Sequence, residues 1–150
     1  MAATFEHFDR KVAEAMIEAN ARDAGLPRYL GVRFVRFEPG RLVAEAPVRP
    51  EFLTPFGTMH GGIMAALVDH VLGCVLYPLM QRGQWAATTE FKLNYLAPVR
   101  SGTIVAESQV VAFTRTTAVV RVEVTNEERL VAVALGTLLV RDPKGKEPSS

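Results

Sequence analysis

Cysteine is almost missing from this chain: Cys74 is the only one in 150 residues. An intrachain disulfide is therefore excluded, which suits a reducing compartment, and a cytoplasmic location is expected. Histidine is scarce as well, with three residues, and no Cys/His/Asp spacing resembles a zinc site. No metal or other cofactor is expected. There is no surplus of charge of either sign. The 17 Lys and Arg against 16 Asp and Glu leave a net charge of +1, so the electrostatic footprint of a nucleic-acid partner is absent. The N-terminal stretch Met1-Ala2-Ala3-Thr4-Phe5-Glu6 lacks the basic head and apolar run of a secretory leader. No Gly-x-Ser-x-Gly elbow occurs. One apolar run, Gly61 to Met80, is long enough to suggest a membrane span. Asp69, His70 and Pro78 inside it, and the want of basic flanks, argue instead for a buried helix and no membrane partner.

What is present is ordinary globular material, with 49% hydrophobic and 22% charged residues, enough for one domain with a real core. Phe5, Phe8, Val12, Ala15, Met16 and Ala19 follow helical spacing, and Gly25-Leu26-Pro27 reads as the stop. Val32 to Phe37 and Arg41 to Val48 read as strands joined at Pro39-Gly40. Residues 49–59 form a loop. Gly62 to about Leu76 reads as a helix apolar nearly all round, closed by Pro78 and Gly83. Strands follow over about 86–96, 103–113 and 117–124, then a hairpin at Asn126-Glu127-Glu128 and a last strand over 129–140. Short turns imply an antiparallel sheet, and one long apolar helix must be wrapped by it, an α+β arrangement. Val131, Val133 and Leu135 would leave apolar surface on the far face of the sheet, which predicts self-association. The domain plan is an N-terminal helical extension over 1–27, the main domain over 28–141 and a mobile tail over 142–150.

Asp69 stands in the oily helix, where an ionised carboxylate is costly unless it is paired or used. Two readings are open: a functional acid, or a buried carboxylate bonded to a hydroxyl or to a backbone N–H across a subunit interface. Gly61-Gly62 stands where loop becomes helix. A helix start presents unpaired N–H groups, glycine admits close approach, and an amide aimed at a carbonyl is an oxyanion donor. A tight loop-to-helix entry is the plainer reading of the pair. Asp69 follows Gly61 by 69 − 61 = 8 residues, about 12 Å of helix rise. If both act on one reacting atom, they come from different subunits. His60 would bond loop backbone and shape the glycine turn. Cys74 reads as core, and His70 does not face its neighbour Asp69. Met64, Leu67, Leu72, Phe56 and Trp85 could line a pocket or simply be core.

The run Gly57-Thr58-Met59-His60-Gly61-Gly62, then Asp69, then Thr88-Thr89-Glu90-Phe91-Lys92-Leu93-Asn94-Tyr95-Leu96-Ala97-Pro98, resembles the hotdog-fold acyl-CoA thioesterases. The branch it is most similar to contains the phenylacetate-pathway and animal thioesterase-superfamily proteins, and the likeness spans about residues 28–141. The resemblance implies an antiparallel sheet wrapped around a long helix, paired into a homodimer and often a homotetramer, with the site between subunits. It implies that the Gly61 amide polarises the thioester carbonyl, with Gly62 beside it, and that Asp69 of a partner is base or nucleophile. Thr88 would orient water or the carboxylate, and His60 would support the turn. Thr54 stands where the family commonly has Asn or Gln, seven residues before the first glycine. Coenzyme A is a polyanion, so Arg100 and Arg115 are candidates for the site mouth; solvated surface charge is the other reading of each. The expected reaction is hydrolysis of an acyl- or aryl-acyl-CoA. A non-catalytic acyl-CoA-binding or scaffold protein is the alternative, and a hydratase on the same fold fits the His60–Asp69 spacing less well.

Overall fold

A computed structural model describes residues 5–143 apart from 21 and 23. The last seven residues of the proposed tail lie outside the described residues. Helix α1 runs Arg10–Asn20 and α2 Gly25–Leu30. Strands β1 (Arg33–Glu38) and β2 (Arg41–Pro47) follow, then a 3-10 turn at Pro50–Phe52 and helix α3 (Gly61–Cys74). A second 3-10 turn, Tyr77–Leu79, leads into β3 (Trp85–Tyr95), β4 (Thr103–Phe113), β5 (Thr117–Asn126) and β6 (Arg129–Arg141). The six strands make one antiparallel sheet in the order β1-β2-β4-β5-β6-β3.

The sheet forms because its strands alternate. Leu42, Ala44 and Ala46 of β2, Ile104, Ala106 and Val110 of β4, and Val120, Val122 and Val124 of β5 all turn inward and are buried. They close on Met64, Leu67, Val68, Val71 and Leu72 of α3, none more than 4% exposed. Each large side chain so buried contributes about 1.5–3 kcal/mol. The apolar stretch flagged by length is therefore the core helix.

Three expectations need correction. First, Gly25-Leu26-Pro27 does not merely stop a helix; it is the first turn of α2, where proline has no intrahelical N–H bond to lose. Helix α1 begins later than the phenylalanine spacing suggested, at Arg10, because the Asp9 carboxylate accepts the N–H groups of Lys11 (2.9 Å) and Val12 (3.2 Å). Second, α3 is apolar nearly all round but not buried all round. Asp69 is exposed in the protomer and Ala65, Ala66 and Gly73 are only half-buried, so one stripe of the helix has no cover. Third, of the residues expected on the far face of the sheet, Leu135 is exposed and Val133 half-buried, but Val131 is fully buried and its neighbour Leu130 is exposed instead.

The two edges of the sheet differ. β1 is overlaid by α1. β3 pairs with β6 along one side only, leaving eleven residues with an unpaired edge. Its register breaks between Thr88 and Glu90, a bulge that inserts Thr89.

Candidate functional site

The glycine turn is assembled from short-range bonds. Residues 53–59 form a small loop closed by a bridge between Leu53 and Met59. Thr54 N–H donates to Thr58 O (2.7 Å), Gly57 N–H to Thr54 O (2.9 Å), and the two threonine hydroxyls lie 3.2 Å apart. The Thr54 hydroxyl also accepts the Phe56 N–H at 3.3 Å. Thr54 thus spends its side chain in closing the loop. Phe56 is carried out at the tip, 87% exposed. The Arg100 guanidinium donates to the carbonyls of Phe56 (3.4 Å) and Gly57 (3.3 Å), so this arginine does reach the loop before the turn.

His60 is the N-cap of α3. Its backbone N–H donates to Phe52 O at 2.8 Å, and its Nδ1 accepts the Gly62 N–H at 2.9 Å. Because Nδ1 accepts, the neutral ring carries its proton on Nε2. The expected support of the turn by His60 is met in this form. The same bond takes up the amide of Gly62. The Gly61 N–H has no partner among the described residues and is one of the orphan donors of the helix start. Glycine at 61 answers to crowding: a Cβ there would lie 2.9 Å from both Cζ and Oη of Tyr95. The Tyr95 hydroxyl donates to Gly61 O at 2.7 Å.

Asp69 is exposed and makes no hydrogen bond or ion pair among the described residues, so neither burial nor pairing comes from its own protomer. Its direction follows from its neighbour. His70 stacks on Phe34 of β1, with centroids 5.7 Å apart, and lies against Cys74 Sγ. Helical residues step roughly 100° apart, so Asp69 is turned off the His70–Phe34 contact onto the uncovered stripe of α3, whereas Gly61 meets Tyr95 of β3. The two groups are about 12 Å apart along α3.

The bulge in β3 decides which threonine faces the helix. Phe91 and Leu93 pair with Gly136 and Ala134 on the inner face. Unbroken alternation would carry Thr89 inward. With one residue inserted, Thr88 instead pairs with the buried Leu138 and takes the inner face, while the Thr89 hydroxyl donates to Thr137 O at 2.9 Å. Arg115 is not with these groups in the protomer. It stands in the β4–β5 turn and lines a cavity of about 440 Å³ with Phe5, Leu79, Gln81 and Gln84, beyond the C-terminal end of α3. Met64, Leu67 and Leu72 are core, whereas Trp85 is 47% exposed. Sequence reasoning missed Tyr95 as a site residue. It stood in the quoted motif, but nothing local links it to a glycine 34 residues earlier.

Comparison with known proteins gives a consistent result. The thioesterase superfamily profile matches residues 56–133, more than half of the chain. Human acyl-coenzyme A thioesterase 13 is 30% identical over 129 residues, covering 85% of this chain and 89% of that protein. The 1,4-dihydroxy-2-naphthoyl-CoA hydrolase of Listeria monocytogenes is 25% identical over 118 residues, 78% of this chain and 96% of the relative. A thioesterase from Haemophilus influenzae superposes with a TM-score of 0.79 at 26% identity, covering 88% of this chain and 92% of its own. The PaaI protein of the Escherichia coli phenylacetic acid degradation operon shares the fold, with a TM-score of 0.80 at 21% identity over 89% and 96% of the two chains. A wrapped core helix opened by a glycine turn, together with these likenesses, makes this chain a member of the thioesterase superfamily, a thioester hydrolase of the hotdog fold.

Proposed function

We propose that the chain hydrolyses an acyl- or aryl-acyl-CoA to the acid and coenzyme A, in a site built by two copies. The single observation that carries this reading is the Gly61 amide at the start of α3, without a partner among the described residues, with Asp69 exposed on the uncovered stripe of the same helix. An unpaired N–H at a helix start suits the oxyanion formed when a thioester is attacked. About 12 Å separates it from its own Asp69, so the acid that completes the site comes from a neighbour. The open β3 edge supplies the route: two β3 strands pairing antiparallel would set the Gly61 end of one α3 against the Asp69 stripe of the other. Asp69 then acts as general base or nucleophile, and Thr88, inward on β3, orients water or the carboxylate. Arg100 sits at the mouth, where phosphates of coenzyme A would pass. Names of relatives that act on acyl-coenzyme A and naphthoyl-CoA esters support this substrate class.

The test is release of free thiol from a panel of acyl- and aryl-acyl-CoA esters. Asp69→Ala should lower turnover by a factor of roughly 10²–10⁴ while leaving the circular dichroism spectrum unchanged. Undiminished turnover in that variant would refute the assignment. The loop-bound Thr54 hydroxyl is the one observation that favours a non-catalytic acyl-CoA-binding protein, since a family asparagine there would be free to hold water. Saturable binding of coenzyme A with no thiol released from any ester would establish that second reading.

A further inference from the structure

We propose that Tyr95 is a positioning residue for the Gly61 amide, a role that rests on the thioesterase reading of the glycine turn. Gly61 is the weak point of the site as a matter of backbone physics. It has no Cβ, and glycine resists rotation about φ and ψ less than any other residue. An oxyanion donor must nevertheless be aimed before the charge appears.

The two peptide planes that meet at Gly61 are each tied at their polar ends. In the His60–Gly61 plane, the His60 carbonyl accepts the Ile63 N–H at 3.0 Å. In the Gly61–Gly62 plane, the N–H of Gly62 donates to His60 Nδ1 at 2.9 Å, and the Gly61 carbonyl accepts the Tyr95 hydroxyl at 2.7 Å. The only polar backbone group of these two planes without a partner among the described residues is the Gly61 N–H. The plane that carries the Gly61 N–H is thus held by the Ile63 bond, and the Tyr95 bond acts on it through the shared Gly61 α-carbon, by limiting ψ at Gly61 and anchoring the helix start. His60 belongs to the turn itself. Tyr95 does not: it comes from the end of β3 and so fixes the turn to the sheet.

The tyrosine also explains the missing side chain at 61. Its ring end occupies the space a Cβ would need, 2.9 Å away at both Cζ and Oη. Gly61 and Tyr95 are therefore a fitted pair, in which the absence of one side chain admits the hydroxyl of the other. Tyr95 itself is 54% exposed, so core packing does not account for its conformation.

Tyr95→Phe removes the hydroxyl and keeps the ring. The proposal expects kcat on a hydrolysed acyl-CoA to fall between about tenfold and a hundredfold with KM within about twofold, and with the melting temperature unchanged. An unchanged kcat overturns it, and so does a loss of kcat accompanied by a matching loss of melting temperature, which marks a merely structural contact. A second readout needs no turnover. In the protein labelled with ¹³C and ¹⁵N glycine, the Gly61 carbonyl carbon and Gly62 amide nitrogen should shift in Tyr95→Phe, with the other glycines unchanged. Should the wild-type chain hydrolyse no ester of the panel, the thioesterase reading falls and this spectrum alone decides whether Tyr95 holds the turn. Unshifted Gly61 and Gly62 resonances would overturn the positioning role whatever the enzyme assay shows.

Discussion

At Gly61 the site needs two things from one residue, a free amide and a bare α-carbon, and these can be separated. Gly61→Pro deletes the N–H and, like alanine, adds a Cβ beside Tyr95, while remaining suited to the first helical position, so the two variants differ in the amide. Gly61→Ala keeps the N–H and adds the Cβ that crowds Tyr95. Loss of an oxyanion donor raises the barrier by ~3–4 kcal/mol, so the proline variant should lose roughly two to three orders of magnitude in kcat for thiol release. The alanine variant should lose distinctly less. Equal losses would assign the effect to crowding of Tyr95. His60 has a separate, thermodynamic part. His60→Ala removes the N-cap of α3 and should cost about 1 kcal/mol, read as a melting temperature lower by about 2–4 °C. His60→Asn, which can cap in the same place, should recover most of that loss.

Among the elements, the β5–β6 hairpin carries visible strain. Glu127 (φ 50°) and Glu128 (φ 65°) both occupy the left-handed region, as a two-residue turn of this hand requires, without the glycine that suits it. Glu128→Gly should therefore raise the melting temperature by about 2–4 °C, and a lower one would show that the glutamate holds the turn by other means. The hairpin itself was legible in Asn126-Glu127-Glu128, and so were α3 and the strands, because periods of 2 and 3.6 residues survive in any single sequence. Three features were not legible, each for a physical reason. Gly25-Leu26-Pro27 can end one helix or begin another, since proline is accepted in a first turn. The exposure of Asp69 depends on how much of α3 a sheet of six strands covers, which no window of α3 encodes. The Tyr95–Gly61 bond joins residues far apart in sequence, and β3 shows its use only when folded against the helix start.

For the whole molecule, one protomer has an open strand edge at β3 and an uncovered helix stripe that carries Asp69. A composite site makes a prediction that a self-contained site does not. Asp69→Ala and Gly61→Pro chains, each inactive alone, should regain activity when unfolded and refolded together. Half of the dimers would be mixed, and each mixed dimer would hold one intact site, giving about a quarter of wild-type turnover in a closed two-fold assembly. No recovery, with mixed dimers shown by mass spectrometry, would place both groups in one chain. Sedimentation of the 16.4 kDa chain should accordingly give at least twice that mass. The inserted Thr89 also gives this sheet a hidden degree of freedom. Beyond it, Phe91, Leu93 and Tyr95 keep their phase against α3; before it, the phase is reversed. Sliding the extra residue one place along the chain would present a different hydroxyl, or none, to the reaction chamber while every aromatic anchor stayed seated. Which hydroxyl the strand turns inward can thus be changed by an insertion or deletion as well as by substitution, with the hydrophobic half of the strand left undisturbed.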